Sequence, residues 1–184
     1  MRRKGLTEPK IQSYIVEALL LLLKKKSYGK ITIAQIAEKA GVNRSSYYRH
    51  FETKEDIIRF FLKGIMEEYQ AAYEKRPDKS FAAYMHQCFT TFYAYREDLL
   101  TIHRAGLSFL LLDVLEDCFR FQDIPDVVGS PKQFEVSYHI GGIFNNMLLW
   151  LRHGMQETPD QMTAIALSFK PEGSFTLLNV KAGQ

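Results

Sequence analysis

The stretch ITIAQIAEKAGVNRSSYYRHFETKEDI, residues 31–57, carries the signals for two short helices joined by a tight turn. Thr32 and Gln35 have the spacing of a capping box, and the apolar residues after them recur with helical period. Gly41 follows, where a helix end commonly needs a left-handed residue without a Cβ. The stretch therefore predicts one helix, a turn at Gly41 and a second helix capped by Asn43.

The second predicted helix begins with polar side chains that can reach base edges in a DNA groove. Its first turn holds Arg44, Ser45 and Ser46, at the end from which such helices contact bases. A further capping box over residues 53–56 predicts a third helix. Lys54 falls in its first turn, beside backbone N–H groups that favour a phosphate. The arrangement indicates a DNA-binding helix-turn-helix.

This stretch resembles the helix-turn-helix of the tetracycline-repressor (TetR) family of transcriptional regulators. The residues that match at the family's spacing are Thr32, Ile36, Ala37, Ala40, Gly41, Val42, Tyr48, His50, Phe51 and Lys54. Three positions depart from the pattern: Ser45 replaces Gly or Pro, Ser46 replaces Thr, and Tyr47 replaces Leu or Phe. Ala34 stands where some relatives carry an arginine that contacts a base.

The resemblance implies how the helix-turn-helix meets DNA. Tyr48, His50 and Lys54 are expected to contact phosphates, and Arg49 is expected to face the groove with the first turn of the second helix. The residues predicted to contact DNA are Thr32, Asn43, Arg44, Ser45, Ser46, Tyr48, Arg49, His50 and Lys54.

The charge of the chain is polarised along the sequence. The first 60 residues hold thirteen Lys or Arg against six Asp or Glu, net +7, and the other 124 hold eleven against fifteen, net −4. A basic end on an acidic remainder is typical of a protein that presents one end to a polyanion.

Hydrophobic periodicity predicts an all-α fold of about nine helices, with a three-helix N-terminal head on a larger helical body. The predicted helices begin near Thr7, Thr32, Asn43, Thr53, Ser80, Glu97, Leu107, Ser130 and Thr158. We expect a DNA-binding head over residues 1–53, a ligand-binding and dimerisation body over residues 54–170, and a tail over residues 171–184. A long helix that begins at residue 54 connects head and body.

Aromatic residues are concentrated between Phe81 and Phe121, where they either fill a core or wall a ligand pocket. Core filling is the expectation for any single residue, whereas the resemblance favours a pocket for the group. The candidate ligand-binding residues are Phe81, Tyr84, Met85, Cys88, Phe89, Phe92, Tyr93, His103, Phe109 and Tyr138.

The sequence from residue 134 to the Thr158-Pro159 helix start resembles one C-terminal subclass of the TetR family. Three features carry this resemblance: Gly141-Gly142 within a helix, Trp150-Leu151 near its end, and the small-residue break at Gly154 that follows. Each of the two mid-helix glycines costs about 1 kcal/mol relative to alanine, which favours close approach by another helix. The resemblance implies a four-helix bundle with a second subunit. Its candidate residues are Tyr138, Gly141, Gly142, Asn145, Leu149, Met162, Ile165 and Phe169.

Other chemistry has no matching pattern in the sequence. Cys88 and Cys118 sit in apolar helical segments and no signal peptide is visible, so we expect a cytoplasmic protein with free thiols and no membrane span. The histidines lack metal-ligand spacing, and we find no phosphate loop, nucleophile elbow or paired carboxylates. We therefore expect no metal site, no cofactor and no enzymatic activity.

These observations predict a homodimeric transcriptional regulator, a repressor, that binds a palindromic operator and is released by a small apolar or aromatic effector. The alternative is a helix-turn-helix regulator controlled by a partner protein docked on the body. An enclosed apolar cavity among residues 81–150 would favour the first, and a filled core beside an exposed apolar patch would favour the second.

Overall fold

The computed structural model describes residues 7–118 and 130–169, which form helices and no strand. The nine α-helices in these residues are α1 (Glu8–Leu23), α2 (Ile33–Ala40), α3 (Arg44–His50), α4 (Lys54–Glu74), α5 (Phe81–Ala94), α6 (Arg96–Arg104), α7 (Leu110–Cys118), α8 (Lys132–Arg152) and α9 (Pro159–Ser168). A short 3-10 turn, Tyr28–Lys30, precedes α2. The all-α fold predicted from hydrophobic periodicity is confirmed.

The head is built around α1, whose apolar side chains are spaced to face one side. Ile15 and Leu19 are completely buried, and α2 packs against this helix. Thr7 occupies the predicted N-cap position of α1, and a proline lies in the first turn, where its missing N–H costs no hydrogen bond. The α1–α2 contact thus fixes the helix-turn-helix on an apolar support.

Helix α4 belongs to both ends of the molecule. Ile57 and Ile58 near its start are completely buried, as are Ile65 and Met66 near its middle, with 1% exposure each. Its neighbours are α1 in the head and α5 and α7 in the body. One continuous apolar core follows, in which head and body share a helix.

The body packs α5, α6, α7, α8 and α9 around aromatic side chains. Helix α9 lies against α5, and α7 contacts both α4 and α8. Trp150 is 1% exposed, with the Phe89 ring edge-on to it and the Tyr93 ring stacked on it. Gly154, with φ of 70°, ends α8 at the small-residue break that the sequence predicts.

Helices α7 and α8 begin later than the sequence predicts. Helix α7 begins at Leu110 rather than at Leu107, because Gly106 adopts φ of 76° and the Leu107 N–H donates to the Ile102 carbonyl to close α6. The hydrophobic pattern predicts that this helix continues to Phe121, a residue that lies outside the described residues. Helix α8 begins at Lys132, with Pro131 instead of Ser130 at the N-cap position.

Both cysteines lie in helices, and their thiols are free. Burial raises the pKa of the Cys88 thiol to about 12. Within residues 7–118 and 130–169, no helix is both long and apolar enough to cross a lipid bilayer.

Candidate DNA-binding surface and candidate ligand sites

The start of α2 is held by the predicted capping box. The Thr32 hydroxyl accepts a hydrogen bond from the Gln35 N–H at 3.3 Å, and the Gln35 side-chain oxygen accepts one from the Thr32 N–H at 3.2 Å. Two backbone donors at the helix end are thereby satisfied reciprocally. The start of α2 is therefore stabilised by hydrogen bonds between residues of its own first turn.

The turn between α2 and α3 depends on Gly41, which adopts φ of 72° and ψ of 25°. Its N–H donates to the Glu38 carbonyl at 3.0 Å, and the Val42 N–H donates to the Ala37 carbonyl at 2.9 Å. These bonds close the last turn of α2 with a left-handed residue, which glycine adopts without a Cβ clash. The predicted turn is confirmed.

Asn43 orders the first turn of α3. Its side-chain oxygen accepts hydrogen bonds from the Ser46 N–H at 2.6 Å and from the Ser45 hydroxyl at 2.7 Å. Arg44 and Ser45 are exposed and Ser46 is half-buried. A short helix with a capped polar first turn at the surface is the geometry from which base edges are read in a major groove.

Tyr47 anchors the opposite side of α3 in the core. The side chain is 0% exposed, and its hydroxyl donates to the Thr53 carbonyl at 3.1 Å. Burial raises the pKa of Tyr47 to about 12. The Phe51 ring packs beside it. The tyrosine that departs from the family pattern therefore ties α3 to the start of α4, a function that the sequence around it did not indicate.

The last turn of α3 holds two exposed side chains and one that is half-buried. Tyr48 is 57% exposed, and Arg49 is also exposed. His50 is half-buried, and its Nε2 is buried with no hydrogen-bond partner among the described residues. The side chains of Tyr48 and Arg49 are thus accessible to DNA, whereas one side of the His50 ring faces the protein.

Lys54 has internal partners that the sequence did not reveal. Its ammonium donates to the Tyr28 carbonyl at 3.0 Å and to the Ile31 carbonyl at 2.8 Å. It also lies 4.0 Å from the centre of the Tyr28 ring, within the range of a cation–π interaction. The ammonium therefore holds the 3-10 turn against the start of α4, which leaves one of its three N–H groups for an outside acceptor.

Thr53 and Asp56 form the capping box predicted for α4. The Asp56 carboxylate accepts a hydrogen bond from the Thr53 N–H at 2.8 Å, and the Thr53 hydroxyl accepts one from the Asp56 N–H at 3.1 Å. Asp56 also pairs with Arg59, whose guanidinium reaches Asp113 on α7 at 3.1 Å. The start of α4 is thereby connected to the body.

The residues predicted to contact DNA fall on α3 and on the two helix starts beside it. The structure exposes Thr32, Asn43, Arg44, Ser45, Tyr48 and Arg49, and half-buries Ser46, His50 and Lys54.

Most of the predicted ligand-binding residues fill the body core. Among them Tyr84, Met85, Cys88, Phe89 and Phe92 are buried, and Phe81, Tyr93 and His103 are half-buried. His103 Nδ1 lies 2.9 Å from the Ser108 hydroxyl oxygen.

Two of the predicted ligand-binding residues lie apart from this group, at the surface of the chain. Phe109 is 55% exposed and Tyr138 is 76% exposed. Helical spacing placed them with the apolar set, but in this chain their side chains face outward.

The structure has an open cleft of about 460 Å³ at a different place from these residues, at the junction of head and body. It is lined by α1, α4 and the start of α6, with Leu20, Phe60, Phe61 and Ile65 among its apolar residues and Gly64 between them. None of the predicted ligand-binding residues lines it. This site could not be found from sequence because its residues come from three helices far apart along the chain.

The predicted dimer residues lie on the outer face of α8 and α9. Tyr138, Gly142, Asn145, Leu149, Ile165 and Phe169 are exposed and Gly141 is half-buried. A Cβ added at Gly141 or Gly142 would meet no atom within 4 Å, so the described part of the chain brings no helix close to these glycines. Met162 is the exception and a correction, because it is 6% exposed and packs in the core of its own chain.

A capped two-helix unit with an exposed polar first turn, carried on a third helix, defines a helix-turn-helix DNA-binding protein. Residues 15–59 match the family model described as bacterial regulatory proteins, tetR family. Residues 15–59 therefore form a helix-turn-helix of the TetR type, a DNA-binding unit.

Known proteins support this assignment to different extents. The chain is 41% identical over 56 residues to the uncharacterized HTH-type transcriptional regulator YxbF of Bacillus subtilis (strain 168), a match that spans 30% of this chain and 15% of that protein. The crystal structure of a TetR transcriptional regulator from Streptococcus agalactiae 2603V superposes with a TM-score of 0.56 at 19% identity, over 88% of this chain and 93% of that one. The fatty acid degradation regulator FadR from Bacillus halodurans gives a TM-score of 0.56 at 14% identity, over 91% and 94%. The two structures share the fold with this chain.

Proposed function

We propose that this chain is a homodimeric repressor that binds a palindromic operator through α3 and is released by a small apolar or aromatic effector. The observation that carries the DNA-binding part is the division of α3 into two sides. Arg44 and Ser45 are exposed in its first turn, while Tyr47 is completely buried. Such a helix can enter a groove without losing its attachment to the head.

The proposed dimer rests on the apolar face of α8 and α9. Phe134 is 78% exposed, Tyr138 76% and Phe169 67%, and Leu149 and Ile165 are also exposed. An apolar face of this kind on one side of a protein marks an interaction surface. Two chains paired here by a twofold axis present two copies of α3, which fit half-sites about one DNA turn apart.

Effector control is proposed to act through α4, the helix that contacts α1, α5 and α7. A molecule that favours a different angle of α4 changes the separation of the two heads without touching DNA. Coupling of about 1–3 kcal/mol per ligand is typical, so two ligands per dimer could approach the ~5.5 kcal/mol needed for nearly complete release.

We further propose residues 1–53 as the DNA-binding unit and residues 54–170 as the regulatory and dimerisation unit. A second candidate function, control by a partner protein docked on the body, is favoured by one observation. The side chains predicted to bind a ligand, such as Phe89 and Phe92, are packed in the core with 2% and 1% exposure.

The test begins with an operator selected from random duplex DNA by the full-length protein. Fluorescence anisotropy then compares that operator with a scrambled duplex at fixed salt, and sedimentation velocity gives the stoichiometry. We expect specific binding of one dimer to a palindrome. A selected site without twofold symmetry, or equal affinity for both duplexes, contradicts the proposal.

A further inference from the structure

The cleft between α1, α4 and α6 has the size and lining of a small-molecule site. Its volume of about 460 Å³ falls within the ~300–1,000 Å³ range of ligand pockets. Leu21 and Phe60 at its edge are 38% and 40% exposed. Gly64 leaves its centre open, because a Cβ there would meet no atom within 4 Å.

The charged side chains that line this cleft, Glu17, Lys24 and Asp98, sum to a negative charge, opposite in sign to the net charge of the head. Lys24 and Asp98 both line it and pair with each other at 3.3 Å, so their charges offset. Glu17 adds an exposed carboxylate to the lining. Glu68, one turn after Gly64 on α4, accepts a hydrogen bond from the Tyr95 hydroxyl that lines the cleft. The remaining charge is negative, which repels a phosphate and attracts a cation.

The size of the cleft argues against a macromolecular occupant. A stable protein interface buries about 800 Å² on each partner, whereas this recess accommodates a few rings or a short alkyl chain. Its walls come from a head helix, the connecting helix and a body helix. A molecule seated here therefore contacts α1, α4 and the start of α6 at once.

We propose that this cleft binds a small amphipathic cation, an aromatic or alkyl group carrying an amine, with the apolar part against Leu20, Phe60 and Ile65 and the amine near Glu17. A regulatory role for this cleft rests on the proposed function, effector-controlled DNA binding. The inference adds two specifications to that function: the effector binds at the head–body junction, and the effector carries a positive charge.

The test uses three probes that share one apolar group, namely phenylbutylamine, phenylbutanol and phenylbutyrate. Each is titrated by calorimetry into the full-length protein without DNA. We expect the amine to bind about two- to fivefold more tightly than the alcohol, as an exposed ion pair allows, and the carboxylate to bind weakest. Failure of all three to bind, or equal affinity of amine and carboxylate, overturns the proposal.

Gly64→Leu fills the cleft, and we expect it to weaken amine binding by about tenfold or more. Ala71→Leu is the matched control, because it places a leucine at an exposed position of the same helix, α4, away from the cleft, and it should leave amine affinity unchanged. Glu17→Gln keeps the shape and removes the charge, so it should abolish the preference for the amine over the alcohol. Amine binding that survives both Gly64→Leu and Glu17→Gln overturns the proposal.

Two further measurements separate this proposal from its alternatives. If Gly64→Leu changes the sedimentation coefficient, a second copy of the chain covers the cleft and the proposal is wrong. Operator affinity without any probe tests the proposed DNA-binding function alone, while the calorimetry tests the cleft alone. If the amine binds in the cleft but leaves operator affinity unchanged, the cleft is still a binding site. In that case the amine is not the effector that releases DNA.

Discussion

Replacing Lys54 with methionine tests whether the internal contacts of this lysine stabilise the head. Methionine keeps the unbranched stem and has a similar helix propensity, so the change removes mainly the ammonium. The Tyr28 carbonyl also accepts the Ile31 N–H at 3.1 Å. The loss therefore falls chiefly on the Ile31 carbonyl, which accepts from the Lys54 ammonium at 2.8 Å.

The expected cost follows from these contacts. A hydrogen bond from a charged donor contributes about 1.5–3 kcal/mol, and an exposed cation–π contact about 0.5–1 kcal/mol. Because Lys54 is only half-buried, we take a value near the lower end, about 2–3 kcal/mol. At about 2–4 °C per kcal/mol for a chain of this size, Tm should fall by about 5–10 °C.

Urea and thermal unfolding at fixed protein concentration, followed by far-ultraviolet circular dichroism, measure this loss. Lys63→Met is the control, because Lys63 is exposed on the same helix and its replacement should change the free energy of unfolding by no more than about 0.5 kcal/mol. If Lys54→Met is no more destabilising than Lys63→Met, the internal contacts of Lys54 do not stabilise the head.

The same variant tests the phosphate contact separately. The third N–H of Lys54 can still donate to a phosphate. We therefore expect Lys54→Met to weaken binding to operator and scrambled DNA alike, and to reduce the salt slope by about 0.9. If Lys54→Met lowers the free energy of unfolding but leaves the salt slope of DNA binding unchanged, Lys54 stabilises the head and does not contact a phosphate.

Three further substitutions test other parts of the molecule. Arg44→Ala should relax base preference, since a bidentate contact to guanine contributes about 1–3 kcal/mol of discrimination; competition with scrambled DNA measures this, and an unchanged specificity ratio would show that α3 is placed wrongly. Gly142→Leu should disturb the dimer by blocking close helix approach; a dimer of wild-type affinity in sedimentation equilibrium would contradict the proposed interface. Gly64→Ala should stabilise the protein by about 1 kcal/mol, because glycine in a helix interior is unfavourable and the added Cβ meets no atom within 4 Å; a lower urea midpoint would refute this.

The features that could be predicted from sequence are those formed between near neighbours. The capping boxes at Thr32, Thr53 and Thr158 each join residues three apart, and the structure forms all three. The turn at Gly41 likewise depends on one residue and its adjacent helix end. Local hydrogen bonding of this kind is decided by the order of residue types, so the helix-turn-helix could be recognised from the amino-acid sequence alone.

The features that could not be predicted depend on contacts between distant residues. Lys54 lies 23 residues after the Ile31 carbonyl that it reaches, and nothing in its immediate sequence distinguishes it from a solvent-exposed lysine. Met162 shares helical spacing with exposed Ile165, yet α9 packs on α5 so that only Met162 is buried. The cleft depends on how α1, α4 and α6 meet, which periodicity does not determine.

The contacts that hold the head on the body are of two kinds, and their magnitudes indicate which of them an effector must change. Lys24 pairs with Asp98 and Arg59 with Asp113, but their side chains are between 34% and 47% exposed. Surface ion pairs of this kind contribute about 0–1 kcal/mol each and weaken with salt.

The apolar contacts of α4 contribute more, because burying one Ile or Leu side chain is worth about 1.5–3 kcal/mol, and Ile58, Leu62 and Ile65 are at most 1% exposed. The angle of the head is therefore set mainly by how α4 packs. A ligand that only broke an ion pair could supply little of the ~5.5 kcal/mol needed for nearly complete release. One that inserts beside Phe61 and Ile65, both of which line the cleft, acts on the packing of α4 itself.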